Sequence, residues 1–290
     1  MLRILGVSRS GYAAFKKRAP SESSIRKERR MEEIREIHAE PHEVYGAPKI
    51  AARMRGKGEC ISDKTAGNYM RGMGLRACYV KHRTQTARGS NFSREFENLL
   101  KRGFSPERPD AAWRTDITYL WAYEGFACLA SIMGLYSRKI ISWVLSETLE
   151  ARHVVDAVNE AKGKRKAEKP LVVHSGRGIQ YTCRDYLIVA DGMERGYSKK
   201  ACPWDNACIE SFHSLLKREW ASRFRILGYS HAYRLVFEYI ETFYNTVRLH
   251  SHCGYQSPGD YEKGYLARME RGMMDAGQPE PAIKETDGSK

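Results

Sequence analysis

From Trp113 to Leu120 polar and apolar residues alternate, the period-2 pattern of a strand with one covered face. Gly125 interrupts the pattern, and Phe126 to Met133 predicts a second strand. After a turn at Leu135-Tyr136-Ser137-Arg138, Lys139 to Leu145 predicts a third. A helix is expected from about Glu150 to Ala161, followed by a charged loop from Lys162 to Lys169. Leu171-Val172-Val173-His174 predicts a short buried strand that ends in Ser175-Gly176-Arg177-Gly178. Asp205 opens a further helix, with Ile209, Phe212 and Leu216 on one face and Glu210, His213, Ser214 and Lys217 on a neighbouring one. A carboxylate and an ammonium two turns apart can serve a metal and a phosphate. An ordinary solvated helix face has the same spacing.

The front of the chain has the 3.6-residue period instead. Residues 1–18 predict a short helix, a turn at Gly6 and a second helix capped by Ser8, which buries Tyr12 and Phe15 and exposes Arg9, Lys16 and Lys17. A longer helix runs from about Ser23 to Ala39, with Ile25, Met31, Ile34, Ile37 and His38 near one stripe. Pro48 fits the first position of the next helix, which breaks at Gly56 and Gly58. Ser62 then caps a helix through about Arg71, ended by Gly72 and Gly74. Two short helices around a glycine turn make a helix-turn-helix, in which Lys64, Asn68 and Arg71 on the second helix would face the major groove. Many helical hairpins share this pattern. Residues 80–109 predict a basic linker and a short amphipathic helix ending at Pro106 and Pro109.

Charge changes the picture. The net charge is +14, and residues 1–109 hold 24 Lys/Arg against 12 Asp/Glu, whereas residues 110–290 hold 25 against 23. A basic front half fits a polyanion, nucleic acid above all, although a solvated helical surface is equally basic. No apolar run of membrane-spanning length occurs, and residues 1–10 lack the pattern of a secretory signal. Seven scattered cysteines without a CxxC pair fit reduced thiols in a cytosol. His250, His252 and Cys253 are the nearest approach to a zinc cluster, but no second ligand pair follows.

The predicted order β-β-β-α-β, then α, matches a ribonuclease H-like α/β core, a mixed sheet flanked by helices, here preceded by the all-α helix-turn-helix region. Seven stretches in the same order resemble the second reading-frame product of a large insertion-sequence transposase family. They are Leu5-Gly6-Val7-Ser8-Arg9-Ser10-Gly11-Tyr12, Tyr45-Gly46-Ala47-Pro48-Lys49-Ile50, Trp113-Arg114-Thr115-Asp116-Ile117-Thr118-Tyr119 and Tyr136-Ser137-Arg138-Lys139-Ile140. Then come His174-Ser175-Gly176-Arg177-Gly178-Ile179-Gln180-Tyr181, Trp204-Asp205-Asn206-Ala207-Cys208-Ile209-Glu210-Ser211-Phe212 and Tyr244-Asn245-Thr246-Val247-Arg248-Leu249-His250.

The resemblance implies a retroviral-integrase-like DDE core in which two aspartates and a glutamate hold two Mg²⁺ ions, with Mn²⁺ as a substitute, for strand cleavage and strand transfer. Asp116 matches the first aspartate and Glu210 the glutamate, so these two would ligate metal. Lys217 would contact DNA phosphate, Arg177 would bind DNA beside it, and Trp204, Asp205 and Asn206 would set up the loop that presents Glu210. The resemblance also implies double-stranded DNA (transposon ends and target) as partner, a homo-oligomer on that DNA and a bacterial cytoplasmic, nucleoid-associated location. An upstream reading frame supplies another helix-turn-helix in such elements. Because Met1 lies directly against the first motif, residues 1–290 are expected to be either the whole transposase or the downstream part of a frameshift product. The corresponding domain division is 1–79 helical DNA-binding region, 80–109 linker, 110–222 catalytic core, 223–265 helical extension and 266–290 disordered tail.

One departure bears on the chemistry. Gly176 stands where the second catalytic aspartate belongs, and a glycine offers no carboxylate; Asp185 is nine residues on and Asp191 further still. Gly134 replaces an aspartate before Leu-Tyr-Ser-Arg, the interval from Gly176 to Glu210 is slightly short, and Ala201 and Cys202 replace a glycine and a polar neighbour. One ion, shared by Asp116 and Glu210, would be retained instead of two. A transposase with impaired cleavage is therefore expected, the alternatives being a non-catalytic DNA-binding protein or inhibitor, and an RNA-cleaving enzyme of the same fold.

Overall fold

The structure, a computed structural model, describes residues 6, 8–40, 42–78, 98–100, 103–165, 171–199 and 202–276. The chain divides into two compact units, Met1–Cys78 and Tyr79–Lys290. The short amphipathic helix expected before Pro106 falls mostly outside the described residues.

Among the described residues the first unit holds four helices, α1 (Arg9–Lys17), α2 (Glu22–Ala39), α3 (Ala47–Gly56) and α4 (Asp63–Gly72); the short helix expected before Gly6 lies outside them. The predicted caps Ser8 and Ser62 accept from the N–H groups of Gly11 and Thr65, and Ser21, just before the expected start near Ser23, accepts from that of Ser24. Gly58 and Gly74 close α3 and α4 at φ +90° and +72°, where a side chain would be strained. Ile34 and Ile37 of α2, Ile50 and Met54 of α3, and Ala66 and Met70 of α4 form the small core. α1 departs from expectation. Tyr12 and Phe15 are 40% and 72% exposed, because α1 buries none of its residues.

The second unit is built on a five-stranded sheet in the order β3-β2-β1-β4-β5. β1 (Ala112–Ala122), β2 (Gly125–Gly134) and β3 (Ile140–Ser146) are antiparallel; β4 (Val172–Ser175) and β5 (Glu194–Tyr197) extend β1 in parallel. α5 (Ala151–Lys164) crosses from β3 to β4 and lays Val154, Ala157, Val158 and Ala161 against Trp113, Ala130, Ile132 and Val173. α6 (Arg184–Val189) leads into β5. α7 (Ala207–Glu219) packs on β1, and its predicted apolar face of Ile209, Phe212 and Leu216 is fully buried. This is the mixed sheet flanked by helices of a ribonuclease H-like core.

Beyond the core, α8 (Tyr229–Phe237) continues as a π-helical stretch over Glu238–Tyr244, and α9 covers Pro258–Ala276. The disorder expected from residue 266 is thus corrected at its near end, since α9 carries ten residues past Leu266. The intervening segment wraps the β2–β3 turn. Asn245 accepts from Ile140 N–H at 2.9 Å and donates to its carbonyl at 3.0 Å, while Ser137 donates to Glu262 and Tyr244 to the Arg138 carbonyl. His252 Nε2 lies 3.0 Å from the Tyr136 carbonyl, Cys253 donates to Ser137 and His250 Nδ1 accepts from His252 N–H, so these three side chains serve local structure. No described helix is long and apolar enough to cross a membrane.

Candidate active site

Alternation along β1 decides what reaches the site. Trp113 and Ile117 point to the α5 side, so Arg114 and Asp116 point to α7. Asp116 lies opposite Ser131 of β2. His213 of α7 fills the space between them: its Nε2 is 2.8 Å from Ser131 Oγ and its Nδ1 3.8 Å from Asp116 Oδ2. Glu210 is three residues before His213 on α7, and Lys217 four after.

These groups perturb one another. Asp116 is 26% exposed, and burial pushes its carboxyl up from 3.8 to about 7. The Glu210 charge pushes in the same direction, and the Ile117 N–H and Lys217 oppose it. Burial also raises Glu210, with Arg114 pulling it down. Lys217 is lowered by burial and supported by Asp116. His213 is driven down to about 3 by burial, then by Lys217, so its ring is neutral. Both carboxyls are held up by burial, and Asp116 also by the Glu210 charge, penalties that a bound cation would relieve.

Asp116 therefore opposes folding when ionised. The stability of its protonated form is fully present below about pH 4 and is lost as pH rises through about 7. Asp116→Asn is expected to raise the unfolding midpoint at about pH 8 and leave it nearly unchanged at about pH 4 in metal-free buffer. Thermal melts at both pH values check this, and equal shifts would contradict burial as the cause.

Gly176 lies at the end of β4. The β1–β4 ladder ends at Arg114 paired with His174, and two residues further along the two chains come Asp116 and Gly176. A Cβ built at Gly176 meets no atom within 4 Å, so the position has room for a carboxylate. Among the described residues, no three His, Cys, Asp or Glu side chains are grouped as a metal site. Asp116 and Glu210 are the two carboxylates that the sequence motif assigns to a metal, and position 176 carries none. Asp185, on α6, and Asp191, in the turn after it, do not enter the set.

The loop before α7 is anchored. Lys199 N–H donates to Asp205 at 3.0 Å, and Arg114 donates to the Asp205 carbonyl and the Asn206 side chain. Trp204 stays largely exposed. Arg177 donates to the Ser198 carbonyl at 2.7 Å, tying β4's end to the loop after β5. In the first unit, Lys64, Asn68 and Arg71 are exposed on α4, where Arg71 donates to Asn68.

Sequence reasoning overlooked Ser131 and Arg114 and treated Arg248 only as a signature. Arg248 is buried and pairs with Glu219 through two 2.6 Å contacts. Arg114 carried a signal in hindsight, an arginine at a covered position of an alternating strand.

Residues 106–207 and 191–258 match two family models each described as Integrase core domain, and residues 26–83 match one described as HTH-like domain. The chain is 34% identical over 250 residues to the Transposase for insertion sequence element IS904 of Lactococcus lactis, covering 85% of this chain and 98% of that one. It is 33% identical over 271 residues to Transposase InsF for insertion sequence IS3A of Escherichia coli, covering 92% and 94%. The HTLV-2 integrase catalytic core domain in complex with magnesium aligns at a TM-score of 0.42 and 10% identity, over 54% of this chain and 98% of that one, too remote to carry argument. Identity at this level along nearly the full length of its relatives, with an integrase core behind a helix-turn-helix-like unit, shows that the chain belongs to the IS3-type insertion-sequence transposases.

Proposed function

We propose that this chain binds insertion-sequence ends and carries a metal-dependent DNA-cutting and joining site that is crippled at one position. The observation that carries the reading is Asp116, its carboxyl pushed up by burial and by the Glu210 charge, beside a glycine with open space around it. Asp116 and Glu210 would hold Mg²⁺, or Mn²⁺ in its place. When bound, the metal supplies charge stabilisation and activation of the attacking oxygen. With only two carboxylates, one ion is expected in place of two. Lys217, half-buried beside Asp116, would steady a phosphate, and Arg177 would add positive charge at the end of β4.

α4 would read the DNA. Asn68→Ala and Arg71→Ala are each expected to weaken specific binding by about 1–3 kcal/mol. Lys64→Ala should weaken all sequences alike and reduce the salt slope by about one. Gel-shift titrations at several salt concentrations check this; unchanged affinity in all three variants would remove α4 from the interface. We place the reaction in the cytoplasm on nucleoid DNA, as a homo-oligomer, with an upstream reading-frame product as a further partner.

The second reading is a DNA binder that occupies ends without cutting. One observation favours it, the missing third carboxylate. Nicking of the element's own terminal DNA in Mn²⁺ separates the two. Cleavage that appears in Gly176→Asp and disappears on adding Asp116→Asn supports the first; binding without cleavage in every variant supports the second.

A further inference from the structure

Arg114 stands two residues before Asp116 on β1 and shares its face. Its side chain is wholly buried. One guanidinium nitrogen, Nη1, donates to the Asp205 carbonyl and, at 3.1 Å, to Asn206 Oδ1. The Phe104 ring covers the group, 4.8 Å from Cζ to the centroid. Its other nitrogens, Nε and Nη2, are buried without a hydrogen-bond partner.

That arrangement is a poor way to gain stability. A buried guanidinium with unbonded N–H groups is costly, and an apolar side chain of similar length is often as stable or more so. The ring above it and the nearby Glu210 charge offset only part of the cost. What Arg114 does achieve is geometric. Asp205 and Asn206 immediately precede Ala207, the first residue of α7, and Glu210 follows within one turn. The same turn is held from its other side by Lys199 N–H on Asp205. One buried guanidinium nitrogen therefore joins the strand that carries one carboxylate to the start of the helix that carries the other.

We propose that Arg114 is a positioning residue, a buried strut that fixes the start of α7 against β1 and thereby sets the approach of Glu210 to Asp116. This rests on the reading of those two carboxylates as a metal site. Arg114 touches neither substrate nor metal; it acts through the Asp205–Asn206 turn. The guanidinium suits the task because the two N–H groups of Nη1 are fixed in its rigid plane and so hold the two acceptors in set directions.

The test uses the full chain with Gly176→Asp and compares it with Arg114→Met, Asn206→Ala and their combination in that background. Amide hydrogen exchange reads the strut without metal, and Mn²⁺ binding by electron paramagnetic resonance reads the site. In Arg114→Met, exchange over residues 205–210 should rise while that of β1 and β2 does not. Mn²⁺ affinity should fall by roughly 10–100-fold, the range for residues that orient ligands. The unfolding midpoint should stay level or rise. Asn206→Ala, which leaves β1 untouched, should move exchange and affinity the same way, and the double variant should be no worse than Arg114→Met alone. Unchanged exchange at 205–210, or a lowered midpoint with unchanged Mn²⁺ affinity, would overturn the strut. Additive losses in the double variant would do so too. Asp116→Asn that leaves Mn²⁺ affinity intact would instead overturn the metal-site reading, and the exchange data would still judge Arg114.

Discussion

Gly176→Asp is expected to nick the element's terminal DNA roughly a thousandfold faster than the chain as it stands, a barrier change of about 4 kcal/mol. The substitution meets no obstacle at its first side-chain atom, since a Cβ at 176 has nothing within 4 Å. Its backbone is also ordinary: Gly176 is not among the glycines with positive φ. A third carboxylate two residues past the last β1–β4 pair would be added to a site where Asp116 is already pushed up to about 7 by burial and by Glu210. Without metal the new charge makes that worse; with metal it completes a ligand set. The gain should therefore appear only in Mg²⁺ or Mn²⁺ and should steepen the dependence on their concentration. Equal rates in the two chains would mean that another group already fills the role. The companion departure at Gly134 is less easily reversed, because a Cβ there stands 3.3 Å from Ile141 Cδ1, in packed surroundings.

The second large effect concerns stability. Arg248→Met is expected to cost about 3–5 kcal/mol of unfolding free energy, because it strands a buried carboxylate. Arg248 and Glu219 are 5% and 7% exposed and meet through two parallel contacts. Tyr239 adds a third donor to Glu219 at 2.9 Å, and burial near that carboxylate holds the Tyr239 phenol well above its ordinary range. Replacing both partners, as Arg248→Met with Glu219→Leu, should restore much of the loss, since neither charge then remains to be desolvated. Denaturant unfolding of the two variants decides the matter. A loss below about 1 kcal/mol for Arg248→Met would mean that water reaches Glu219.

β1 was legible from its alternation, and β2 from a short apolar run behind Gly125 that is covered on both faces. α7 was legible from its apolar face of Ile209, Phe212 and Leu216 in one short stretch. Asp116 and Glu210 were found through the family motif, not through spacing, which a solvated face would match. β5 went unseen: Glu-Arg-Gly-Tyr has no apolar alternation, and its strand character comes from pairing with β4. Glu219 and Arg248 each look like surface charges until the chain brings them together across 29 residues. The Arg114 strut was hidden for a like reason, its acceptors lying more than ninety positions away. Tyr12 and Phe15 failed in the opposite direction. Their spacing promised a buried face, and α1 leaves it uncovered.

Asn245 presents its side-chain amide to Ile140 as a neighbouring strand would present a peptide group. β3 is an outer strand of the sheet, and open outer strands invite pairing with other chains. A ribosome making this protein completes β3 about a hundred residues before it delivers Asn245. During that interval the hairpin is a sticky intermediate, and any product ended by a premature stop between the two would remain one. Such fragments should collect as aggregates, a hazard for a cell holding damaged copies of the element.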